Sequence, residues 1–314
     1  GSVFGCPPVP DLSVVVLSWN TKDDLRTCLD ALRRGRGGLT VEVVCIDNAS
    51  SDGSADMTAA EFPEVRLVRN AENVGYARGV NQGLRAARGY RICLLGSDTR
   101  VAPDALPKLC AFLDAHPEVG AVAPRLVNFD DGATQRACMR FPRLRTALWW
   151  DTPLQAWFPE SRELRRYRYR DFDHESSRAV EQPPGTCLVL RRDVVDRLGP
   201  MDERLWLFFN DVDWSMRLDA LGLKSWYLAD AVVAHREGGS TRKFADFGAE
   251  WHRNRIALYR KHWGLAGAAL TKAVLCFVAL RQCFRVKRDL GSWRAAAPHA
   301  AEIRRTLRRL LRKA

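Results

Sequence analysis

In the first third of the chain, short β-branched runs alternate with segments whose apolar residues recur every three or four positions. Residues 12–17 (LSVVVL) have the unbroken apolar character of a strand buried on both faces. After Ser18-Trp19-Asn20, Leu25, Cys28, Leu29 and Leu32 fall on one helix face. Thr21 and Asp24 form a capping pair, and the glycines from Gly35 to Gly38 end the helix. Residues 41–46 form a second strand ending at Asp47-Asn48, and residues 65–68 a third ending at Arg69-Asn70. Residues 91–95 form a fourth, ending at Gly96-Ser97-Asp98. A helix over 76–88 precedes the fourth strand, a helix opened by Pro103 runs to His116, and residues 119–123 make a fifth strand. The alternation predicts an α/β fold with a mostly parallel central sheet flanked by helices. Open sheets of this kind bind ligands beyond the carboxyl ends of their strands, where these polar residues fall.

The pattern then changes. Residues 126–129 and 134–138, joined by Asp130-Asp131-Gly132, read as a hairpin. Residues 143–181 are a basic, aromatic insertion containing Trp149, Trp150, Trp157, Tyr167 and Tyr169. A strand over 185–190, a helix over 192–198 and a longer helix over 211–221 follow. Near the end, Ile303, Leu307, Leu310 and Leu311 recur at helical spacing among arginines, a pattern suited to an anionic membrane surface. The alternative is a helix packed on the body or on a second subunit of a homo-oligomer. The expected partition is a leader over 1–11 (Gly1-Ser2 being a cloning scar), a catalytic body over 12–263, and a helical basic tail over 264–314.

Charge sharpens this division. Of a net +12, residues 281–314 carry +9, so the body is nearly balanced and a nucleic-acid groove is not expected. The nine cysteines include no C-x-x-C pair, and several sit in apolar runs, which points to a reducing cytoplasm rather than a disulfide scaffold. No signal peptide is expected before Leu12. The apolar run 273–280, bounded by Lys272 and Arg281, reads as too short to span a bilayer. The expected location is the cytoplasm, at the inner face of the membrane.

Four constellations carry candidate chemistry. Asp47, in DNASSDG, is placed to accept the imide N–H of uracil or thymine, with a capping turn as the plain alternative. The glycines of NVGYARGVNQG allow close backbone approach to a ligand or to another element. Asp98, in GSDT, is an acid at a strand end, suited to a divalent cation that neutralises a diphosphate. Asp211 and Asp213, in FNDVDW, open a helix, where a carboxylate can take a proton from an incoming hydroxyl. His235, also at a strand end and followed by a glycine turn with basic residues, is a candidate metal ligand.

Together SVVVLSWN, VVCIDNASSDGS, NVGYARGVNQG, LLGSDTR, GTCLVLRRDVVDRLGPMDERL, FNDVDWSMRLDALG and VVAHREGGST resemble family 2 glycosyltransferases of the GT-A fold, over roughly residues 12–263. Within that family the chain looks most like bacterial rhamnosyltransferase-type enzymes. The resemblance implies an inverting transferase that uses Mg2+ or Mn2+. It would move a sugar from a dTDP- or UDP-linked donor, dTDP-L-rhamnose first, to a glycan or lipid-linked glycan acceptor. It makes Asp211 the catalytic base and places Asp98 and His235 at the metal. Donor contacts fall to Ser18, Asn20, Asp47, Asn73, Gly75, Arg78, Ser97 and Asp98. Two departures stand out: Gly96 replaces the first member of the family's D-x-D, and Asn210 the acid of its E-D pair. They keep a catalytically silent glycan-binding protein of the same fold as an alternative. A dinucleotide oxidoreductase is excluded, since no G-x-G-x-x-G follows Leu17. A nucleotidyltransferase would need a glycine-rich basic loop there, which Ser18-Trp19-Asn20-Thr21 is not.

Overall fold

The computed structural model describes residues 8–150, 152–236 and 247–313. Most of the leader reading (1–7), and the glycine turn with basic residues after Arg236, lie outside the described residues. The described chain divides into two compact units, one built from 8–139, 173–203 and 210–236, the other from 140–172, 204–209 and 247–313.

The first unit is a nine-stranded sheet with helices on both faces. Its strands are β1 (Leu12–Ser18), β2 (Val41–Asp47), β3 (Arg66–Arg69), β4 (Arg91–Gly96), β5 (Thr99–Val101), β6 (Val119–Asn128), β7 (Arg178–Val180), β8 (Cys187–Arg191) and β9 (Lys224–His235). They lie in the order β3-β2-β1-β4-β8-β6-β9-β5, with β7 beside β9. The helices along the chain are α1 (Lys22–Arg34), α2 (Ser54–Glu61), α3 (Tyr76–Ala86), α4 (Ala105–Ala115), α5 (Thr146–Trp149), α6 (Pro153–Trp157), α7 (Arg162–Tyr167), α8 (Arg192–Leu198), α9 (Asn210–Ala220), α10 (Phe247–Asp289) and α11 (Trp293–Lys313).

The parallel order holds over β3–β2–β1–β4. Then β8 enters antiparallel to both β4 and β6, and β6 pairs β9 in parallel. The insertion precedes β8 where a crossover helix would otherwise return the chain parallel. The strands' period of two sorts the core. Val14, Val16, Cys93 and Leu95 face α1 and α4, while Val15, Ile92 and Leu94 face α3, α8 and α9. Leu25, Cys28, Leu29 and Leu32 of α1 are at most 2% exposed, and each leucine so buried contributes about 1.5–3 kcal/mol. Thr21 is the N-cap of α1 but makes no side-chain cap bond, because its hydroxyl is engaged elsewhere. The hairpin is present as a turn: the Asn128 N–H donates to Ala133 and the Gln135 N–H to Leu126, although only the first arm is a strand.

The second unit gathers the insertion around α10. In α6 and α7, Thr152 and Ser161 cap the N-termini through Leu154 and Leu164. α10 breaks at Gly264, whose φ of 62° and ψ of −150° no helix holds. Its first limb pins the rest of the unit. Arg255 donates to the Ala147 carbonyl at 2.5 Å, Tyr259 to that of Arg143, and Asn254 Oδ1 accepts the N–H groups of Leu207 and Phe208.

Two expectations about this region need correction. The run 273–280 belongs to the second limb of α10, beyond Gly264, which Lys272 and Arg281 do not interrupt. By length and composition that helix can cross a membrane, with mean hydropathy 1.8 over its most apolar window, of which 22% is buried. Secondly, Ile303 and Leu307, assigned to a lipid-facing stripe, turn inward. Leu307 packs on the cluster of Ile256, Ala268 and Leu275, and both line a cavity of about 470 Å3 between α10 and α11. The exposed apolar side chains of this region include instead Leu265, Phe277, Leu280, Phe284, Leu290 and Trp293.

Candidate active site

The carboxyl ends of β1, β2 and β4 carry most of the anticipated residues, on either side of the point where the strand order reverses. Ser18 ends β1 in full burial. Its hydroxyl meets that of Thr21 at 3.1 Å, and Thr21 meets Ser97 at 2.9 Å. Ser18 and Ser97 thus tie two loops together. Asn20, in the left-handed region at φ 55°, accepts the Ser51 N–H at 2.7 Å and donates its own N–H to Ser50. It lines a small polar pocket with Thr21, Lys22, Asp23, Asp24 and Asp52.

Asp47 is 3% exposed. Its Oδ2 accepts the Ser50 N–H at 3.0 Å, whereas its Oδ1 is buried with no hydrogen-bond partner in the described structure. A buried carboxylate oxygen left unpaired is costly. The nearby NVGYARGVNQG segment serves mainly as scaffold. Asn73 accepts the N–H of Gly75, Gly75 holds φ 85° at the start of α3, and Asn48 donates to the Gly75 carbonyl. A Cβ on Gly79 would lie 2.4 Å from Leu17 Cδ1, and one on Gly83 2.2 Å from Val15 Cγ1, so these glycines let α3 press onto β1. Arg78 is exposed.

Asp98 occupies the turn between β4 and β5, 7% exposed. Burial raises its pKa, against the pull of His235. Thr99, the next residue, pairs with His235 across β5 and β9, and this brings His235 Nε2 to 3.7 Å from Asp98 Oδ1. Gly96 is explained by the same turn, because a Cβ there would sit 2.8 Å from Asp98 Oδ1. Arg236 follows, bonded to Asp24 at 3.0 Å and stacked over Phe129. Among the described residues no cluster of three or more His, Cys, Asp and Glu side chains could hold a metal. Asp98 and His235 offer one oxygen and one nitrogen, a donor pair that fits a divalent cation completed by diphosphate oxygens.

Asp211 and Asp213 part company on the first turn of α9, as positions two residues apart must. Asp213, 1% exposed, turns to the core 3.3 Å from Arg217, which also donates to the Leu198 and Pro200 carbonyls. Asp211 faces Gly185, where a Cβ would come within 2.8 Å of its own, and is hydrogen-bonded by Gln182. Burial raises its pKa, opposed by backbone N–H groups of Val212, Asp211 and Gly185 and by Gln182. Asn210 is 3% exposed with both amide atoms unpaired in the described structure. Burial raises the pKa of the Tyr76 hydroxyl, and the charges of Asp211 and Asp98 add to the effect.

Sequence reasoning missed Tyr76, Gln182 and Gln135. Tyr76 lay within a quoted motif but was masked by its glycines. Gln182 and Gln135 lie in segments without a motif, and only tertiary pairing shows their partners.

An α/β sheet with a strand-order reversal and acids at its carboxyl edge is the frame of a nucleotide-binding enzyme, and the family match makes it a glycosyltransferase, acting on a nucleotide-sugar donor and a glycan acceptor. The chain belongs to the family described as Glycosyl transferase family 2, whose pattern matches residues 13–199. It is 28% identical over 264 residues to the N-acetylglucosaminyl-diphospho-decaprenol L-rhamnosyltransferase of Mycobacterium tuberculosis, covering 80% of this chain and 85% of that one. A shorter match, 37% over 108 residues, is to the succinoglycan biosynthesis protein ExoO of Rhizobium meliloti, over 34% of this chain and 31% of that protein. Its fold is similar to that of the mannosyltransferase PcManGT from Pyrobaculum calidifontis, solved in complex with GDP-Man and Mn2+. The TM-score is 0.53 at 20% identity, over 98% of this chain and 86% of that one.

Proposed function

We propose that the enzyme is an inverting, metal-dependent transferase that moves a sugar, rhamnose from a dTDP-linked donor as first choice and a UDP-linked sugar as second, onto a lipid-linked glycan. The observation that carries the reading is the placement of Asp98 just beyond the carboxyl end of β4 and of Asp211 on the first turn of α9, with both charges felt at the Tyr76 hydroxyl. Asp47 Oδ1 supports a pyrimidine base with an imide N–H, the donor that this buried oxygen lacks. Asp211 takes the proton of the acceptor hydroxyl as that oxygen attacks the anomeric carbon in line with the departing diphosphate. Gln182 and Gly185 hold the carboxylate in place, and Asp213 braces α9 through Arg217. Asp98 and His235 would hold Mg2+ or Mn2+, which when bound offsets the charge of the leaving diphosphate. A lipid-linked acceptor is supported by the M. tuberculosis relative's name and by the apolar side chains exposed on the second limb of α10. Such an enzyme works at the inner face of the membrane.

Thermal unfolding with UDP, dTDP, GDP or CMP, each with and without Mn2+, tests the donor class. A nucleotide present at 100 times its dissociation constant adds about 2.7 kcal/mol of stability. Stabilisation by dTDP or UDP, strengthened by Mn2+, is expected; stabilisation by GDP alone would sink the assignment.

A further inference from the structure

His235 ends β9 and lies opposite Asn128 of β6 on one side and Thr99 of β5 on the other. The turn after β6 sends Gln135 back across this end. Its side-chain Nε2 donates to Asn128 Oδ1 at 2.8 Å and to the His235 carbonyl at 3.0 Å. A backbone carbonyl can only accept, so the amide has one possible orientation, with Oε1 toward the imidazole. Oε1 lies 2.9 Å from His235 Nδ1 and can only accept in turn. Nδ1 must therefore carry the proton, which leaves the Nε2 lone pair of the neutral ring on the Asp98 side, 3.7 Å from Oδ1. With the ring neutral, two acceptors face each other across that gap, an arrangement that a cation between them satisfies.

We infer that Gln135 is a positioning residue that locks His235 in its Nδ1–H tautomer, presenting Nε2 with Asp98 as a ready pair of ligands for a divalent cation. The inference rests on the metal-dependent reading of the site, but the tautomer can be measured with no metal and no donor. Outer partners of this kind fix both the orientation and the basicity of a ligating imidazole, and their loss typically weakens metal binding 10- to 100-fold.

The test uses the full chain, labelled with 15N-histidine, at a pH where the ring is neutral, with the His235 signals assigned by their loss in His235→Ala. The parent is expected to show His235 protonated on Nδ1. Gln135→Leu removes the acceptor and is expected to shift the ring toward the Nε2–H form. Gln135→Glu keeps an acceptor for Nδ1 while losing both donated bonds, so it is expected to retain the parent tautomer. A merely structural glutamine would not sort the two variants this way. In calorimetry of Mn2+ with dTDP or UDP, Gln135→Leu is expected to bind about 10- to 100-fold more weakly, with metal-free nucleotide affinity unchanged. A parent His235 protonated on Nε2, or a Gln135→Leu protein that keeps both tautomer and Mn2+ affinity, overturns the inference. If His235→Ala retains parental Mn2+ affinity while the tautomer lock is observed, the metal reading of the site fails instead.

Discussion

Asp211 stands where two physical effects oppose one another. Burial penalises its negative charge and wins, while the N-terminus of α9 and the hydrogen bonds from Gly185 and Gln182 favour it. A base whose pKa is raised above 3.8 sits closer to working pH and takes a proton more readily. The transfer rate is thus expected to fall on the acid side with a midpoint above 3.8, read from kcat against pH. Asp211→Asn keeps the shape and removes the base, so turnover should drop by roughly two to four orders of magnitude with donor affinity nearly constant. Its stability should move the other way. Because the folded pKa is raised, the charged form weakens the fold; the group's contribution is whole below pH 3.8 and is lost as pH rises through the raised value. Asp211→Asn should therefore melt higher than the parent at neutral pH and gain nothing below 3.8. Near-parent turnover would remove Asp211 from the mechanism. Asp213→Asn is the contrast: it loosens the link to Arg217 and should lower the melting temperature while leaving turnover measurable.

At the scale of the element, the second limb of α10 carries the membrane prediction. Gly267, Ala268, Thr271, Leu275 and Ala279 are its buried face, and Phe277, Leu280 and Phe284 project from the other. Replacing those three by serine should abolish sedimentation with anionic liposomes and leave nucleotide binding unchanged. Persistent sedimentation would place the contact elsewhere. This face also marks where sequence reading failed. A strand or helix announces itself through periodicity, which is why β1, β2, β4, α1 and α8 lie where the pattern puts them. Lys272 and Arg281, read as boundaries, lie within the second limb of α10, and the apolar spacing of α11 did not reveal that its partner was α10. The same limit applies at the site. Asp47, Asp98 and Asp211 stand out in the sequence because each closes or opens an element, whereas the pairing of the Ser18 and Ser97 hydroxyls through Thr21 and the local bond from Gly75 to Asn73 show only in the fold. β5 was too short to show a period, yet its pairing with β9 sets the approach of His235 to Asp98.

Across the whole molecule, the basic excess in residues 281–314 and the nearly neutral remainder separate solubility from surface attraction. The cysteines Cys28, Cys45, Cys93, Cys110, Cys138 and Cys187 are all buried, and burial pushes the Cys28 and Cys110 thiols up to about 12, so they remain inert apolar filling. The hold of Asn254 on Leu207 and Phe208 bears on the order in which the protein is made. Chains emerge from the ribosome from the N-terminus, and domains fold as they appear. The family pattern ends at residue 199, and every acid assigned to the reaction has been translated by Asp211. Even so, the N–H groups of Leu207 and Phe208, just ahead of Asp211, gain their bonds to Asn254 only when the first limb of α10 has been synthesised. A stalled nascent chain ending at residue 236 is therefore expected to be cut by protease within 204–209, and one extended through α10 to resist there. Equal resistance in both would show that the segment is held without Asn254. If the expected order holds, an enzyme that consumes an activated sugar stays idle until the ribosome has passed residue 254.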